Sequence, residues 1–499
     1  MELQFHKSVI PCAQTLVREV QNQELTQEVR LTDGMPDIGR VLASWGQVLI
    51  RSKEWRSGGI GISGGVMAWV LYMPEDTQEP QSVAAWLPFQ MKWDIADTQR
   101  DGAVHVVPLL RGIDTRSISA RKLMVRAGVG VLAQATVSGQ AEIYTPDDVP
   151  SDVNILKNTY PLLIPTEAGE KAFSLEETLS FADTAPQVAK VVRFDLQPTI
   201  TEEKVVSDKV VFRGMVNLHL LYLDPQGRLN SRDFELPFSQ FAQLEKEYDP
   251  ASVAALSLVP TSVELEQGEE EQWNLKAGLI GQYMIYSGQS ITLAEDAYSN
   301  QREVSPKFEL VNIPARLDNF RELISIEQSA QTGVMQTADI FFSCEHPRLY
   351  REEDGVTGEM SGMFQILGYD ENGELASDIL HWEDTVSIPA AEDTQVQVTL
   401  EAIGKPYASN YGDTTTLHGE LQKDVCTSWT QGLPMMVGME LGEIQEPDPD
   451  RPSVILRRAG EESLWELAKN AGSTVEAIQK ANNLQQEPEE SQMLLIPVM

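Results

Sequence analysis

A repeat held in fixed register limits what this chain can fold into. Asp33, Pro36, Gly64, Leu71, Tyr72, Ala127 and Gly128 recur as Asp183, Pro186, Gly214, Leu221, Tyr222, Ala277 and Gly278, each 150 positions on (222 − 72). Leu87-Pro-Phe89 returns as Leu236-Pro-Phe238, and Ser138-Gly-Gln140 as Ser287-Gly-Gln289, each one residue short of that offset. A register shared over more than about a hundred residues marks a duplicated domain. A third, more diverged copy follows. Leu221-x-x-Asp224-x-x-Gly227-x-Leu229 recurs as Leu367-x-x-Asp370-x-x-Gly373-x-Leu375, and Leu275-Lys-Ala277 finds a counterpart in Leu400-Glu-Ala402. The proline signature of the first two copies has no counterpart there.

The repeat unit reads as β. Val210 to Leu223 is rich in β-branched and apolar residues with partial alternation. Asp224-Pro-Gln-Gly227 is a turn, with proline pre-set for its second position and glycine free to take a positive φ. Arg228 to Phe238 then returns as the second strand of a hairpin, and Asp370-Glu-Asn-Gly373 makes the same turn in the third copy. Strands in this spacing, without alternating helices, predict a mainly β protein of tandem sandwich-like repeats. Two helical exceptions are predicted, near Thr15–Gln27 and Leu317–Ile326. The predicted units are residues 1–150, 151–296 and 297–442, with polar joints over Tyr144–Glu170 and Leu293–Pro314. Residues 443–452, reading EIQEPDPDRP, form an acidic, proline-rich and semi-rigid tether to a last unit at 453–499.

That last unit is a complete small α+β (βααβ) module. Ser463-Leu-Trp-Glu466 and Ser473-Thr-Val-Glu476 both fit the capping box. The first helix should bury Leu464, Leu467 and Ala468, and the second Val475, Ile478 and Ala481, on i, i+3, i+4 spacing. Asn482-Asn483 ends the second helix, and Met493 to Pro497 returns as an edge strand. Ser463-Leu464-Trp465, Thr474-Val475, Asn483-Leu484 and Leu494-Leu495-Ile496-Pro497 resemble the LysM domain. The family's Gly-Asp pair is replaced here by Gly460-Glu461-Glu462. In sugar-binding members that loop walls the glycan groove, so its change argues against chitin or peptidoglycan binding while leaving the fold intact. By this resemblance the groove lies between the Gly460–Leu464 and Asn482–Met493 loops. Its candidate partner-binding residues are Arg457, Arg458, Gly460, Leu464, Trp465, Ile478, Asn483 and Leu484. Trp465 has two readings, packing against the two-stranded sheet or serving as an exposed anchor.

Gly34-Met-Pro-Asp-Ile38, then Val41-Leu42, then strand pairs carrying Leu71-Tyr72, resemble the SPOCS domain of sporulation proteins. The second copy has Ala185-Pro-Gln-Val188 there, so the carboxylate of Asp37 is not repeated. Tandem SPOCS copies followed by one LysM domain resemble the SipL family of spore-coat morphogenesis proteins. The resemblance implies a non-enzymatic scaffold in the mother-cell cytosol, at the forespore surface and spore coat. It would dock a SpoIVA-like coat ATPase through the LysM unit, with other coat proteins as further partners. The rival reading is a glycan-binding accessory protein or a wall hydrolase targeted by LysM. A third is a polymer-forming structural protein.

Charge and chemistry fit the first reading. The formal net charge is −37, which opposes polyanionic partners such as nucleic acids or anionic membranes. Cys12, Cys344 and Cys426 are far apart and show no disulfide or zinc spacing. No signal-peptide pattern or apolar run of about 18 residues is present, which predicts a cytoplasmic chain without membrane insertion. The six histidines show no metal spacing. His219 is expected to face solvent on its strand, and Cys344 with His346 lacks an orienting third group. Ser57 to Gly65 reads as a flexible hairpin loop rather than a phosphate cradle, and Glu264 to Glu271 as a solvated run. Asp33 is expected to cap a turn. No catalytic residue, metal ligand or cofactor is assigned.

Overall fold

The computed structural model describes the chain except residues 57, 78, 96–101, 182–185, 269–271, 312, 393, 412–413, 430–432, 447–450, 461 and 490. After β1 (Glu2–Gln4), a first set of strands runs β2 (His6–Arg30), β3 (Ile38–Arg56), β4 (Gly59–Pro74), β5 (Gln81–Asp94), β6 (Ala103–Ser119) and β7 (Lys122–Thr145). A second set comprises β8 (Val153–Leu179), β9 (Lys190–Leu223), β10 (Leu229–Tyr248), β11 (Val253–Gln267) and β12 (Trp273–Ser299), followed by β13 (Val304–Val311). The third comprises β14 (Arg316–Gln331), β15 (Gln336–Cys344), β16 (Arg348–Glu352), β17 (Gly355–Tyr369), β18 (Leu375–Pro389), β19 (Thr394–Tyr411) and β20 (Thr414–Trp429), followed by β21 (Leu433–Leu441). The terminal module is β22 (Val454–Arg458), α1 (Leu464–Ala471), α2 (Val475–Asn482) and β23 (Met493–Pro497).

The three sets share one plan. One sheet is ordered β2-β7-β6, β8-β12-β11 or β14-β20-β19, always with the last long strand in the centre. The facing sheet is β3-β4-β5 in the first set and β9-β10 in the second. In the third, β17 pairs with β15 and β16 on one side and β18 on the other. In the second set the chain turns back at Ser207 (φ 53°), so the first half of β9 fills the place of β3. A Cβ added at Gly214 would lie 1.9 Å from Thr199 O and 2.7 Å from Phe238, as one at Gly64 would meet Leu49 O at 2.3 Å and Phe89 at 2.9 Å. The 150-position register is thus physical. Tyr72 donates its hydroxyl to Pro36 O at 3.1 Å, and Tyr222 to Pro186 O at 3.2 Å.

Alternating residues fill each sandwich. Leu123, Val125, Ala127, Val129 and Val131 of β7 pack with Ile60, Ile62, Val66 and Val70 of β4. Leu275, Ala277 and Leu279 meet Phe212, Val216 and Phe238 in the second set, and Leu417, Leu421 and Val425 meet Phe364, Ile366 and Trp382 in the third. The fold is mainly β. The sheets of the second and third sets join where Leu163 of β8 pairs with Arg316 of β14. β1, β21 and β13 form a small sheet that ties the amino-terminal end to the segments after the second and third sets.

Several local expectations fail. Thr15–Gln27 is not helical; it lies in β2, paired residue by residue with β7. Leu317–Ile326 lies in β14, paired with β20. In both, a long partner strand satisfies the backbone donors and acceptors, which outweighs a weak helical stripe. The joint expected over Tyr144–Glu170 shrinks to the stretch between β7 and β8, and most of the joint at Leu293–Pro314 belongs to β12 and β13. Gly59 to Gly65 is strand rather than loop, leaving a tight turn with Gly58 at φ 86°. Leu400-Glu-Ala402 lies on the edge strand β19, so it does not correspond to Leu275-Lys-Ala277 on the central β12. The Asp turns do correspond: Asp224 and Asp370 each accept from backbone N–H groups two and four residues on. Asp33 falls in a turn, while Asp37 pairs with Arg121 at 2.8 Å. Asp183, part of Glu264–Glu271 and part of the proline-rich tether lie outside the described residues.

Candidate functional site

The module is built from the elements that its sequence announces. Ser463 caps α1 in a complete capping box with Glu466, and Gly472 closes the helix at φ 63°. Asn483 ends α2 in the left-handed conformation. The second capping box does not form. Thr474, not Ser473, is the cap, so Ala477 takes the third helical position and Glu476 is one residue out of reach. Ser473 is buried, and its hydroxyl has no hydrogen-bond partner. The core is Leu464, Leu467, Ala468, Ile478, Leu494 and Ile496, with Val475 partly buried at its edge; Ala481 is exposed, contrary to expectation.

Among the candidate residues, Leu464 (2% exposed) and Ile478 (0%) belong to this core, so neither presents a surface. Trp465 takes a third course, facing the body of the protein. Its indole N–H donates to Asp296 Oδ2 at 2.8 Å, and its ring meets Tyr298 edge-on at 4.7 Å. Lys469 pairs with the same Asp296 at 2.7 Å. Burial would raise the Asp296 pKa, but Lys469 and Trp465 hold it below the usual carboxylate range. Tyr298 and Asn300 donate to Ser473 O at 3.1 and 3.0 Å. The module is therefore seated on the end of β12, not carried free on a tether.

Arg458, Gly460 and Asn483 remain exposed, Leu484 is half-buried, and Arg457 pairs with Glu462 at 2.9 Å. The apolar surface lies elsewhere. Val454, Leu456, Met493 and Leu495 are 46%, 66%, 49% and 42% exposed. Leu456 pairs with Leu495, and Arg458 with Met493, so these residues form one face of the β22–β23 ribbon. Burial alternates along β23, with Leu494 and Ile496 as the buried set, but both faces are apolar in sequence, so no alternation of polarity showed which one was free.

The expected glycan groove is crossed. Glu487, in the loop after α2, accepts from the Leu464 N–H at 3.0 Å. At the base of these loops the β22–β23 ladder continues: Ser491 N donates to Ala459 O at 2.9 Å, and Ala459 N to Gln492 O at 2.8 Å.

The other chemical candidates stay apart or sit in unforeseen roles. Burial pushes the Cys344 thiol up to about 12 and His346 down to about 4, which opposes a thiolate–imidazolium pair. His219 does not face solvent. It lies between Asp233 (2.5 Å) and Asp339 (2.9 Å), joining β9 to β15. Burial alone would lower its pKa, but the two carboxylates outweigh this and hold it up at about 9. Asp339 also faces Arg193 at 3.2 Å, and that guanidinium sits 5.2 Å from both the Trp45 and Phe341 rings. Several of these charges meet by distance but off hydrogen-bond directions. Among the described residues, no group of three or more His, Cys, Asp or Glu is placed to hold a metal ion, and no helix is long and apolar enough to cross a membrane.

No curated protein and no solved structure matches the chain. Residues 187–258, covering β9, β10 and the start of β11, match the SipL, SPOCS domain family, and residues 459–497 match the LysM domain family. The chain thus has a segment similar to the SipL SPOCS domain followed at its carboxyl end by one similar to LysM, the order its repeats and terminal module suggested.

Proposed function

We propose that this protein is a non-enzymatic scaffold of spore-coat assembly. Its LysM module docks a protein partner, the coat morphogenetic ATPase of the SpoIVA type, at the forespore surface in the mother-cell cytosol. The two domain similarities in this order support a coat-related role. The observation that favours a protein ligand over a glycan is the exposed ribbon face of Val454, Leu456, Met493 and Leu495, beside Arg458 and away from the crossed groove. An apolar centre with an arginine on its rim is the usual make-up of a protein-binding hot spot. The glycan reading has the fold in its favour, but the Glu487 side chain bonds the Leu464 N–H across the two loops, which opposes a sugar chain lying between them.

The test is a pull-down from sporulating cells with the full chain and with a chain lacking residues 453–499. The reading expects the ATPase only with the full chain. Equal recovery with both, or retention of the full chain on chitin or peptidoglycan, would overturn it.

A further inference from the structure

Where the three strand sets meet, a partly open cavity of about 470 Å³ lies between them, within the range of small-ligand sites. Its wall takes Arg18 from β2, Tyr286 from β12, Arg316 from β14 and Cys426 from β20. Arg316 is 8% exposed; its Nε–H donates to the Cys426 sulfur at 3.1 Å, and its guanidinium lies 4.6 Å from the Tyr286 ring centre. Arg18 donates through Nε to Gln134 Oε1 at 3.1 Å. Among the described residues neither arginine has a carboxylate within ion-pair distance, although Arg316 acts electrostatically on Glu203, and Arg321 in the same wall pairs with Asp424 at 2.7 Å.

A buried guanidinium at Arg316 and a half-buried one at Arg18, neither with a carboxylate in ion-pair contact, are costly, and in a chain of net charge −37 acidic partners are plentiful. Burial disfavours the charge on Arg18, and Cys426 and Tyr286, the groups that Arg316 also touches, lie beside it. Elsewhere in the wall, Glu203 has a buried Oε2 with no hydrogen-bond partner. Burial raises the pKa of Glu203, and it pushes nearby Glu401 up to about 7. The wall therefore offers two guanidiniums without a carboxylate contact and one unpaired acceptor in a single recess.

We propose that this cavity binds a small oxyanion, with Arg18 and Arg316 clamping its carboxylate or phosphate and Glu203 accepting from a donor group on the same molecule. Planar guanidinium forks suit both oxyanions. The site is independent of the LysM ribbon, so its ligand would act on how the three sandwiches are held together.

The experiment is thermal unfolding of the full chain in citrate, in inorganic phosphate, and in sodium chloride of matched ionic strength. We expect a saturable rise in midpoint with citrate or phosphate beyond the chloride control; citrate alone would identify a carboxylate ligand, and phosphate alone a phosphate. Arg316→Gln should weaken the apparent affinity at least about tenfold, the scale of one lost charge-assisted contact. Arg18→Met, which removes the charge and keeps most of the bulk, should do the same, and it serves if Arg316→Gln does not fold. No rise beyond chloride for the parent chain, or equal rises in parent and variants, would overturn the proposal.

Discussion

Asp339→Asn should destabilise the protein in a way that depends on pH. Asp339 is buried with 1% of its side chain exposed, and it faces both Arg193 and His219. In the folded chain His219 is held up at about 9, against about 6.5 for an ordinary imidazole. That difference corresponds to about 3 kcal/mol of stability. The sign follows from the direction. Because folding raises this pKa, the contribution is full below about 6.5 and is lost as pH rises through about 9. Asp339→Asn removes the carboxylate shared by the two cations and leaves His219 with Asp233 and Arg193 with Asp195. Breaking a buried ion pair from one side costs about 3–5 kcal/mol; with one partner left to each cation, about 3 is expected. At roughly 2–4 °C per kcal/mol, the melting midpoint at pH 6 should fall by about 6–12 °C. At pH 10 His219 is neutral in both proteins, so the gap should shrink to the share owed to Arg193, roughly half. The assay is thermal unfolding of parent and variant across pH 6 to 10. A gap that does not change with pH, or one below about 1 kcal/mol at pH 6, would refute the reasoning.

Other outcomes follow from single contacts. Asp296→Ala removes the partner of both Trp465 and Lys469 and leaves the module held by Tyr298 and Asn300, so its seat on β12 should loosen; limited proteolysis should release the module sooner than in the parent chain, and an unchanged rate would contradict this. Gly214→Ala should cost at least about 3 kcal/mol and Gly64→Ala a similar amount, because each added methyl would overlap a backbone oxygen and a phenylalanine ring; unfolding midpoints that hardly move would contradict the shared register. Ser463→Ala should cost about 1 kcal/mol by removing the α1 cap, whereas Ser473→Ala should be neutral or stabilising, since its buried hydroxyl has no partner.

The repeat was the most legible part of the fold. Tyr72 and Tyr222 recur because each ties the end of its strand to a proline carbonyl, and Gly64 and Gly214 recur because a strand and a phenylalanine leave no room for a side chain. The Asp turns recur because one carboxylate satisfies two backbone donors. What failed depended on distant partners. Thr15–Gln27 has some helical spacing, but its partners on β7, from Thr136 to Val125, are far away in sequence and their pairing decides the matter. His219 reads as a solvent-facing strand residue until Asp339, from the next repeat, closes over it. Trp465 could not be assigned from the module alone, since its partner Asp296 belongs to the second repeat. Leu464 and Ile478, expected to be buried on their helices yet also named as candidate binding residues, are core because the module is too small to fill its interior without them.

The central claim is that the ribbon face of the LysM module docks a protein. Its most direct test is a binding titration of the purified SpoIVA-type ATPase against the full chain and against Leu456→Glu, with melting curves confirming that both are folded. Leu456 is 66% exposed, so the substitution leaves the core intact. A charge placed at an exposed anchor costs a few kcal/mol, on the order of a hundredfold in affinity. The account requires tight binding by the parent chain, a loss of that order in the variant, and no competition from chitin oligomers. Unchanged binding by Leu456→Glu, or displacement of the ATPase by those oligomers, would contradict it.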